Sequence, residues 1–220
     1  MDKKDTAIII GSLILSGVAV AFFYNKFHKK SPETISNLQP PKTDGIKSIL
    51  FIGDSNTEAP WSYADKIKKM YPTVSVKKIA KHSMKTDWML NELQNELAKN
   101  KYDIVSVLGG SNDIYATGKN DTAKANLEKM YQLSKGAGAR FVIVAPPNKN
   151  FYANATEVKQ KSLQDLLNWE KNTANKDYFI DFWTMTNNKN LFSKGDGFLH
   201  PQSAAHEILT KDFSTKLNLK

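Results

Sequence analysis

Between residues 46 and 220, short apolar segments alternate with longer amphipathic ones, and this alternation constrains the fold more than any other feature. The apolar segments, rich in Ile and Val, cover residues 48–52, 74–79, 104–108, 141–145 and 178–182. The amphipathic segments cover residues 61–70, 86–98, 121–135, 156–174 and 201–217. Nearly continuous apolar runs separated by helices are typical of a parallel sheet that is buried on both faces. The pattern predicts an α/β protein, a three-layer α/β/α sandwich around a five-stranded, mainly parallel sheet.

Reactive polar side chains cluster where the predicted strands end. The carboxyl ends of parallel strands share one edge of a sheet, and ligands bind there. The first three strands are followed by Asp54, Ser55 and Asn56, by His82 and Ser83, and by Asn112 and Asp113. After the fifth strand, the stretch GDGFLHPQSAAHE places Asp196 and His200 just before the last predicted helix. We therefore expect these side chains to open onto one crevice.

A serine, a histidine, a carboxylate and amide donors at one edge can together perform acyl transfer. The serine attacks the acyl carbon, the histidine takes and returns its proton, the carboxylate orients the imidazole, and the amides hold the oxyanion. Ser55 alone is also an ordinary turn residue, and Asn112 and Asp113 are ordinary helix caps. His200 alone fits a residue before proline that is satisfied by its neighbours. The combination favours the chemical interpretation.

Three sequence blocks resemble the SGNH hydrolases, also called the GDSL family of esterases and lipases. They are GDSNT at residues 53–57, GGSND at residues 109–113 and DGFLHP at residues 196–201. The blocks fall in the family's order, and the resemblance extends from residue 47 to the C terminus. It implies the flavodoxin-like fold of that family and the activity of a serine esterase.

By this resemblance, Ser55 is the nucleophile, His200 the general base and Asp196 its orienting partner. The oxyanion would be held by the backbone N–H of Ser55 and by the side chain of Asn112. A further donor, normally the N–H of a glycine in the family's second block, falls at Ser83 in this chain. Serine keeps that donor if it can adopt the glycine's backbone conformation, which is costly where φ is positive.

The spacing between Asp196 and His200 departs from the family, which usually has two residues between them. Here three residues intervene, and Pro201 restricts His200 to an extended backbone. Gly195 and Gly197 could absorb the extra residue as a bulge. If they do not, Asp196 misses the imidazole, and a backbone carbonyl or another carboxylate orients the ring instead.

Further polar residues near the crevice are expected to contribute less. The weak candidates for substrate binding are Asp54, Asn56, His82 and Asp113. His206, inside the last predicted helix, is expected to be partly buried or solvated. No set of His, Asp and Glu shows the spacing of metal ligands, so we expect no metal and no organic cofactor. The glycine pair after the third strand lacks the Gly-Lys-Ser of a phosphate loop, which disfavours a nucleotide-binding protein.

The charge of the chain excludes some partners. The net charge is +9, yet only Arg140 of the 31 basic residues is an arginine. Base readout and bidentate phosphate binding depend on arginine, so no nucleic-acid partner is expected. Solubility, or attraction to anionic lipid or to a cell-wall polymer, explains the charge at least as well as nucleic-acid binding does.

The absence of cysteine excludes disulfides, thiolate zinc sites and cysteine nucleophiles.

Residues 6–24 form an uncharged apolar stretch near the N terminus. A helix of this length spans the ~30 Å core of a bilayer, and lysines flank it on both sides. A cleaved signal peptide is the rival interpretation, but the apolar run is long and no A-x-A site follows. We predict a transmembrane anchor at residues 1–30, a proline-containing linker at 31–45 and an SGNH hydrolase-like domain at 46–220. The protein would be a single-pass protein of an envelope or virion membrane, on a side that the sequence leaves open.

The predicted activity is the hydrolysis of a short acyl ester, acetyl above all, on a carbohydrate or a cell-envelope polymer. A lysophospholipase or a thioesterase would use the same residues, because the catalytic groups do not specify the leaving group. The alternative from another class is a catalytically silent binding or structural module on a membrane or a membrane-containing virion. Protein partners are not predicted.

Overall fold

The computed structural model describes residues 45–220, and its five strands form one sheet. The strands are β1 (Ser48–Gly53), β2 (Ser75–Ala80), β3 (Ile104–Leu108), β4 (Arg140–Val144) and β5 (Tyr178–Ile180). Their order is β2-β1-β3-β4-β5, and every neighbouring pair is parallel. The predicted five-stranded parallel sheet is confirmed.

Helices connect these strands. They are α1 (Ser55–Glu58), α2 (Tyr63–Met70), α3 (Thr86–Leu97), α4 (Ser111–Thr117), α5 (Asp121–Gly136), α6 (Glu157–Asn172), α7 (Phe182–Met185) and α8 (Ser203–Leu217). Two short 3-10 turns lie in the loops before α6 and α8, at Lys149–Phe151 and Lys189–Leu191.

Alternate residues of β1 show that helices cover both faces of the sheet. Leu50 and Ile52 belong to one apolar cluster, which includes residues of α3, α5 and α6. Ile49 and Phe51 belong to a second cluster, which includes residues of α2 and α8. All four side chains are fully buried. Because successive side chains of a strand point to opposite faces, an apolar run of this kind serves two cores at once. The predicted three-layer arrangement is confirmed.

The edge strand β2 differs from the other strands because several of its side chains are exposed. Lys77 and Lys78 lie on it and form ion pairs with Glu96 and Asp65 on the neighbouring helices. An edge strand presents unpaired backbone groups, and charged side chains there discourage pairing with another chain. The expectation that the strands are nearly all apolar and buried on both faces therefore does not hold for β2.

Two predicted boundaries are also wrong by a few residues. The last helix begins at Ser203 instead of Pro201, because Pro201 pairs with Phe192 in an isolated antiparallel bridge. The fifth strand ends at Ile180, two residues before its predicted end, because the chain turns there into α7.

The strand order creates a crevice at the carboxyl edge of the sheet. The chain passes from β1 to β2 on one side of β1 and then continues with β3 on the other side. The loops that follow β1 and β3 therefore diverge, and parallel α/β sheets bind ligands at such a point. Ser55 begins α1 directly after β1, and Asn112 lies in the first turn of α4 after β3. The fold thus places both residues at the crevice.

The predicted anchor at residues 1–30 and nearly all of the predicted linker at 31–45 lie outside the described residues. None of the helices within residues 45–220 is long and apolar enough to cross a bilayer. The anchor, the linker and the domain boundary at residue 46 stay predictions.

Candidate active site

Ser55 lies in the sharp turn between β1 and α1. Asp54 caps α1, since its Oδ1 accepts a hydrogen bond of 2.9 Å from the backbone N–H of Asn56. Gly53 permits the chain to turn here, because a Cβ at this position would lie 2.2 Å from Oγ1 of Thr57. The amides of a first helical turn have no acceptor within the helix, so the N–H of Ser55 makes no intrahelical bond. The succession Gly-Asp-Ser after an apolar strand therefore builds a turn that presents the serine.

Ser55, His200 and Asp196 form a continuous chain of hydrogen bonds. Oγ of Ser55 lies 2.9 Å from Nε2 of His200, and Nδ1 of His200 lies 2.8 Å from Oδ2 of Asp196. With a carboxylate at Nδ1, the neutral ring carries its proton there and offers the lone pair of Nε2 to the serine hydroxyl. The histidine and aspartate side chains are 37% and 30% exposed. The structure thus brings together, at an accessible site, a serine and a histidine that are 145 positions apart.

Gly197 and Phe198 absorb the extra residue between Asp196 and His200. Both have left-handed backbone conformations, with φ of 69° and 66°. The turn is closed by Oδ1 of Asp196, which accepts a 3.0 Å hydrogen bond from the N–H of the residue before His200. Of the two glycines expected to form the bulge, Gly195 is not left-handed, and a phenylalanine takes the second left-handed position. The prediction of a bulge at Gly195 and Gly197 is therefore right for Gly197 and wrong for Gly195.

The loop that follows β4 holds this turn in place. Nζ of Lys149 donates a 2.6 Å hydrogen bond to the carbonyl of Leu199, and the N–H of Ala153 donates to the carbonyl of Gly197 at 3.1 Å. A left-handed conformation is unfavourable for a residue with a bulky side chain, so such a turn persists only where its surroundings fix it. The hydrogen bonds from Lys149 and Ala153 are two of the contacts that fix the turn.

Lys149 is a buried cation beside two carboxylates. The residue is only 3% exposed. Burial lowers the pKa of Lys149 to about 8, while the carboxylates of Asp54 and Asp196 act in the opposite direction and raise it. Lys149 was not among the predicted site residues, because those residues follow the first three strands and the fifth, whereas Lys149 follows β4. The same strand-end rule applied to β4 points to the segment that contains it.

The predicted oxyanion donors border one small cavity. The cavity has a volume of about 210 Å³, and its border includes Ser55, Ser83, Asn112, Tyr115 and Tyr152. Ser83 has a φ of 60°, the left-handed conformation in which glycine is the usual residue. Nδ2 of Asn112 donates one hydrogen to a backbone carbonyl in the loop after β2 at 2.9 Å, which leaves its second N–H for another acceptor. The structure brings the three donors together, and their role in holding an oxyanion stays a prediction.

Asp54 and Asp113, two of the four weaker candidates for substrate binding, are structural residues. They are 1% and 3% exposed, and burial raises the pKa of both carboxyl groups. Asp54 caps α1, as described above. Asp113 accepts hydrogen bonds from the backbone N–H and the hydroxyl of Thr86, at 3.0 and 2.7 Å, and so caps α3. Both carboxylates face the interior, and the prediction that they bind substrate is corrected.

Asn56 and His82, the other two weaker candidates, border the small cavity. Nδ2 of Asn56 donates to Oδ1 of Asp54 at 2.8 Å, whereas its own Oδ1 has no hydrogen-bond partner among the described residues. His82 is exposed, and both its backbone N–H and its Nδ1 lie within 3.2 Å of Oε2 of Glu58. Substrate binding by these two residues stays a prediction.

A larger cavity of about 420 Å³ borders the same Ser55–His200 pair. Its border includes Glu58, Ala59, Pro60, Trp61, Asp196, Pro201, Gln202 and His206. His206 is fully buried and stacks on the ring of Tyr63, with 6.5 Å between the ring centroids and 9° between the planes. Burial lowers the pKa of His206 to about 4. The expectation of a partly buried or solvated His206 is wrong, because this side of α8 packs on the sheet.

The fold and the arrangement at its edge are those of a serine-type hydrolase built on a parallel sheet between two layers of helices. Residues 51–208 match the family model of the GDSL-like lipases and acylhydrolases, so the chain belongs to this family. The protein is therefore an enzyme, as predicted, and its family is one of ester and acyl hydrolases. No curated protein matches the chain significantly.

Solved structures from several bacteria share the fold at low sequence identity. A catalytic mutant of Axe2, an acetylxylan esterase from Geobacillus stearothermophilus, is 16% identical with a TM-score of 0.58, over 79% of this chain and 95% of Axe2. The esterase EstA from Pseudoalteromonas, inhibited by monoethylphosphonate, is 16% identical with a TM-score of 0.60, over 78% and 97% of the two chains. A protein assigned to the G-D-S-L lipolytic family of Desulfitobacterium hafniense is 15% identical with a TM-score of 0.64, over 78% and 99%. At these identities, the similarity between this chain and the three structures is a similarity of fold.

Proposed function

We propose that the protein is a serine esterase that removes short acyl groups, acetyl above all, from a carbohydrate or a cell-envelope polymer. The observation that carries this proposal is the chain of hydrogen bonds from Ser55 through His200 to Asp196, 2.9 and 2.8 Å long. A serine hydroxyl is a weak nucleophile unless a base within hydrogen-bond distance takes its proton during attack. His200 is at that distance and carries an orienting carboxylate.

In the acylation step, Oγ of Ser55 attacks the carbonyl carbon of the ester, and its proton passes to Nε2 of His200. Asp196 keeps the other ring proton on Nδ1 and stabilises the imidazolium. The negative charge that develops on the carbonyl oxygen is held by the N–H groups of Ser55 and Ser83 and by the amide of Asn112. The bond to the leaving alcohol then breaks, and the alcohol oxygen takes the proton from Nε2.

In the deacylation step, the same groups act on water. His200 takes a proton from the water as its oxygen attacks the acyl carbon on Ser55. When the second tetrahedral intermediate collapses, the bond to Oγ breaks and Nε2 returns the proton to it. The carboxylic acid leaves, and the enzyme regains its starting state.

The small cavity supports a short acyl group. The oxyanion donors border it, so the acyl carbon lies at the edge of this volume of about 210 Å³, which is the space nearest to the acyl group. This is below the ~300 to 1,000 Å³ that is usual for ligand pockets. Tyr115 and Tyr152, whose rings pack edge to face at 5.4 Å, add bulk at its border. An acetyl group fits this space, whereas a long acyl chain requires the rings to move.

The proposal is tested by assaying the full-length chain with a chromogenic acetyl ester and with the butyrate and octanoate esters of the same alcohol. We expect the acetyl ester to react fastest, and Ser55→Ala and His200→Ala to lose at least about a thousandfold in kcat. Ser75→Ala is the matched control, because Ser75 is an exposed serine that begins β2, at the end of the strand opposite to the crevice. It should keep the wild-type rate.

Other outcomes of this assay favour other functions. A folded wild type that hydrolyses none of the esters contradicts the proposal and favours a catalytically silent module. A preference for octanoate contradicts the short acyl group and favours a lysophospholipase or thioesterase.

We also propose that residues 6–24 tether the enzyme to a membrane. The support is the uncharged apolar stretch with lysines on both sides. The full chain should stay with the membrane fraction through an alkaline carbonate wash and enter solution with detergent. Release by the carbonate wash alone contradicts the tether.

A further inference from the structure

We infer that the larger cavity is the subsite for the leaving group and that it takes the pyranose ring of a neutral sugar against the indole of Trp61. The inference rests on the proposed function, because only an ester hydrolase has a leaving group to place. It adds where the sugar lies and which side chain selects it.

His200 borders both cavities, so the oxyanion donors Ser83 and Asn112 decide which cavity takes the leaving group. Nε2 gives its proton to the leaving oxygen, so the alcohol must lie beside the imidazole and away from the oxyanion donors. The larger cavity is bordered by His200 and Asp196 but not by Ser83 or Asn112. The smaller cavity is bordered by both of these donors as well as by His200. An ester carbonyl at Ser55 therefore directs its acyl group into the smaller cavity and its alcohol into the larger one.

Trp61 supplies an apolar wall to the larger cavity. It is 47% exposed, whereas most large apolar side chains of the described domain are buried. The turn that carries it is fixed by a 2.9 Å hydrogen bond from the N–H of Ser62 to the carbonyl of Ala59. Aromatic rings provide a large, rigid apolar surface, and the C–H face of a pyranose ring packs against such a surface. An exposed indole beside a polar cleft therefore suits a sugar ring.

The charged and polar groups of this cavity suit a neutral ligand that is rich in hydroxyl groups. Glu58 and Asp196 border it, and no lysine or arginine of the described residues does. Two carboxylates accept hydrogen bonds from hydroxyl groups but repel a phosphate headgroup. His206 lies fully buried at the same border, and neither of its ring nitrogens has a hydrogen-bond partner among the described residues. The cavity thus favours a sugar over a lysophospholipid, although the chain as a whole is basic.

The kinetic test compares two acetyl esters with different alcohols, vinyl acetate and a methyl xyloside that carries one acetyl group and keeps its other hydroxyl groups free. For the full chain, we expect Trp61→Ala to lower the ratio of kcat/KM for the sugar ester to kcat/KM for vinyl acetate about tenfold, mainly through KM. Trp61→Phe should recover most of the ratio. Met70→Ala is the matched control, because Met70 is an exposed apolar residue of α2 that does not border the cavity. It should keep the wild-type ratio, and an unchanged ratio in Trp61→Ala overturns the inference.

A binding test separates this inference from the proposed function. Ser55→Ala in the full chain is titrated with methyl xyloside and methyl glucoside and followed by saturation-transfer NMR. We expect saturable binding that is lost in the double variant Ser55→Ala/Trp61→Ala and kept in Ser55→Ala/Met70→Ala. If the sugars bind but the wild type hydrolyses no ester, the result supports the sugar subsite and contradicts the esterase activity. If the wild type hydrolyses vinyl acetate but no sugar binds, the result supports the esterase activity and overturns the sugar subsite.

Discussion

Oδ2 of Asp196 lies 2.8 Å from Nδ1 of His200, although three residues separate them in the chain. The turn between them reaches this distance through two consecutive left-handed residues, Gly197 and Phe198. The loop after β4 supports the turn through Lys149, whose ammonium group binds the carbonyl before His200. A spacing that departs from the usual one thus still brings the carboxylate to the imidazole.

Replacing the carboxylate of Asp196 should slow the reaction without unfolding the protein. Asp196→Asn cannot hold the required proton on Nδ1 of His200 or stabilise the imidazolium, so kcat should fall by about 10² to 10⁴. Steady-state kinetics with an acetyl ester measures this, and Asp121→Asn, at an exposed position in α5, serves as the control. A wild-type kcat in Asp196→Asn would mean that another group orients the ring.

Lys149→Met should lower kcat with little change in KM. The methionine keeps the apolar stem but loses the 2.6 Å hydrogen bond to the carbonyl of Leu199, so the turn that carries the imidazole is free to shift. A displacement of about 1 Å at a catalytic group can cost up to about a hundredfold in rate. Lys119→Met, at an exposed position, controls for the loss of one positive charge. If Lys149→Met is stable and fully active, the ammonium group does not position the turn.

Substitutions can distinguish the side-chain oxyanion donor, Asn112, from the backbone donor, Ser83. Asn112→Ala removes a side-chain donor and should lower kcat by about 10² to 10³. Ser83→Ala keeps its backbone N–H and should stay active. Ser83→Gly should also raise the free energy of unfolding by about 1 kcal/mol, because the left-handed φ of 60° costs a glycine nothing. Urea unfolding and kinetics check these results, and a large loss of kcat in Ser83→Ala would assign the role to the hydroxyl instead.

His206 should make the protein less stable in mild acid. Its pKa falls from 6.5 to about 4 in the folded state, because burial disfavours the charged ring. Between these two pKa values, the unfolded chain binds a proton at His206 and the folded chain does not. The stability that is present above pH 6.5 is therefore lost as the pH falls toward 4. The full loss is about 3 kcal/mol in the free energy of unfolding, at about 1.4 kcal/mol for each pH unit.

The measurement for His206 is urea unfolding of the wild type and of His206→Phe at pH 7, 5.5 and 4.5. Carboxylates contribute to acid sensitivity in both proteins, so the difference between their slopes isolates the histidine. The variant should lose less stability over this range. Equal slopes would show that the buried ring does not resist protonation.

The sequence was sufficient for the sheet and for the pair Ser55 and His200. His200 lies far beyond the end of β5, and the resemblance of its DGFLHP block to the SGNH hydrolases identified it. Apolar runs identify buried strands, and parallel strands must end at one edge, so the position of Ser55 follows from a topological rule that needs no side-chain detail. The same rule does not tell which way a polar side chain points. Asp54 and Asp113 follow strands just as Ser55 does, yet they cap helices, because caps and catalytic groups draw on the same residue types.

Lys149 and Phe198 could not be assigned from local patterns. The burial of Lys149 arises only when its loop packs on the turn between Asp196 and His200, which lies about 50 residues further along the chain. The left-handed conformation of Phe198 is likewise imposed by tertiary contacts, since its own side chain disfavours it. Such residues depend on how distant segments meet.

Identifying the residue that a fluorophosphonate modifies tests most directly whether Ser55 is the catalytic nucleophile. The full-length chain is treated with the reagent, digested and analysed by mass spectrometry, beside Ser55→Ala, His200→Ala and the control Ser75→Ala. The assignment of Ser55 as the nucleophile predicts one adduct on Ser55 in the wild type and in Ser75→Ala, none in Ser55→Ala, and a much slower reaction in His200→Ala. An adduct on a different residue, or an unmodified but folded wild type, would contradict it.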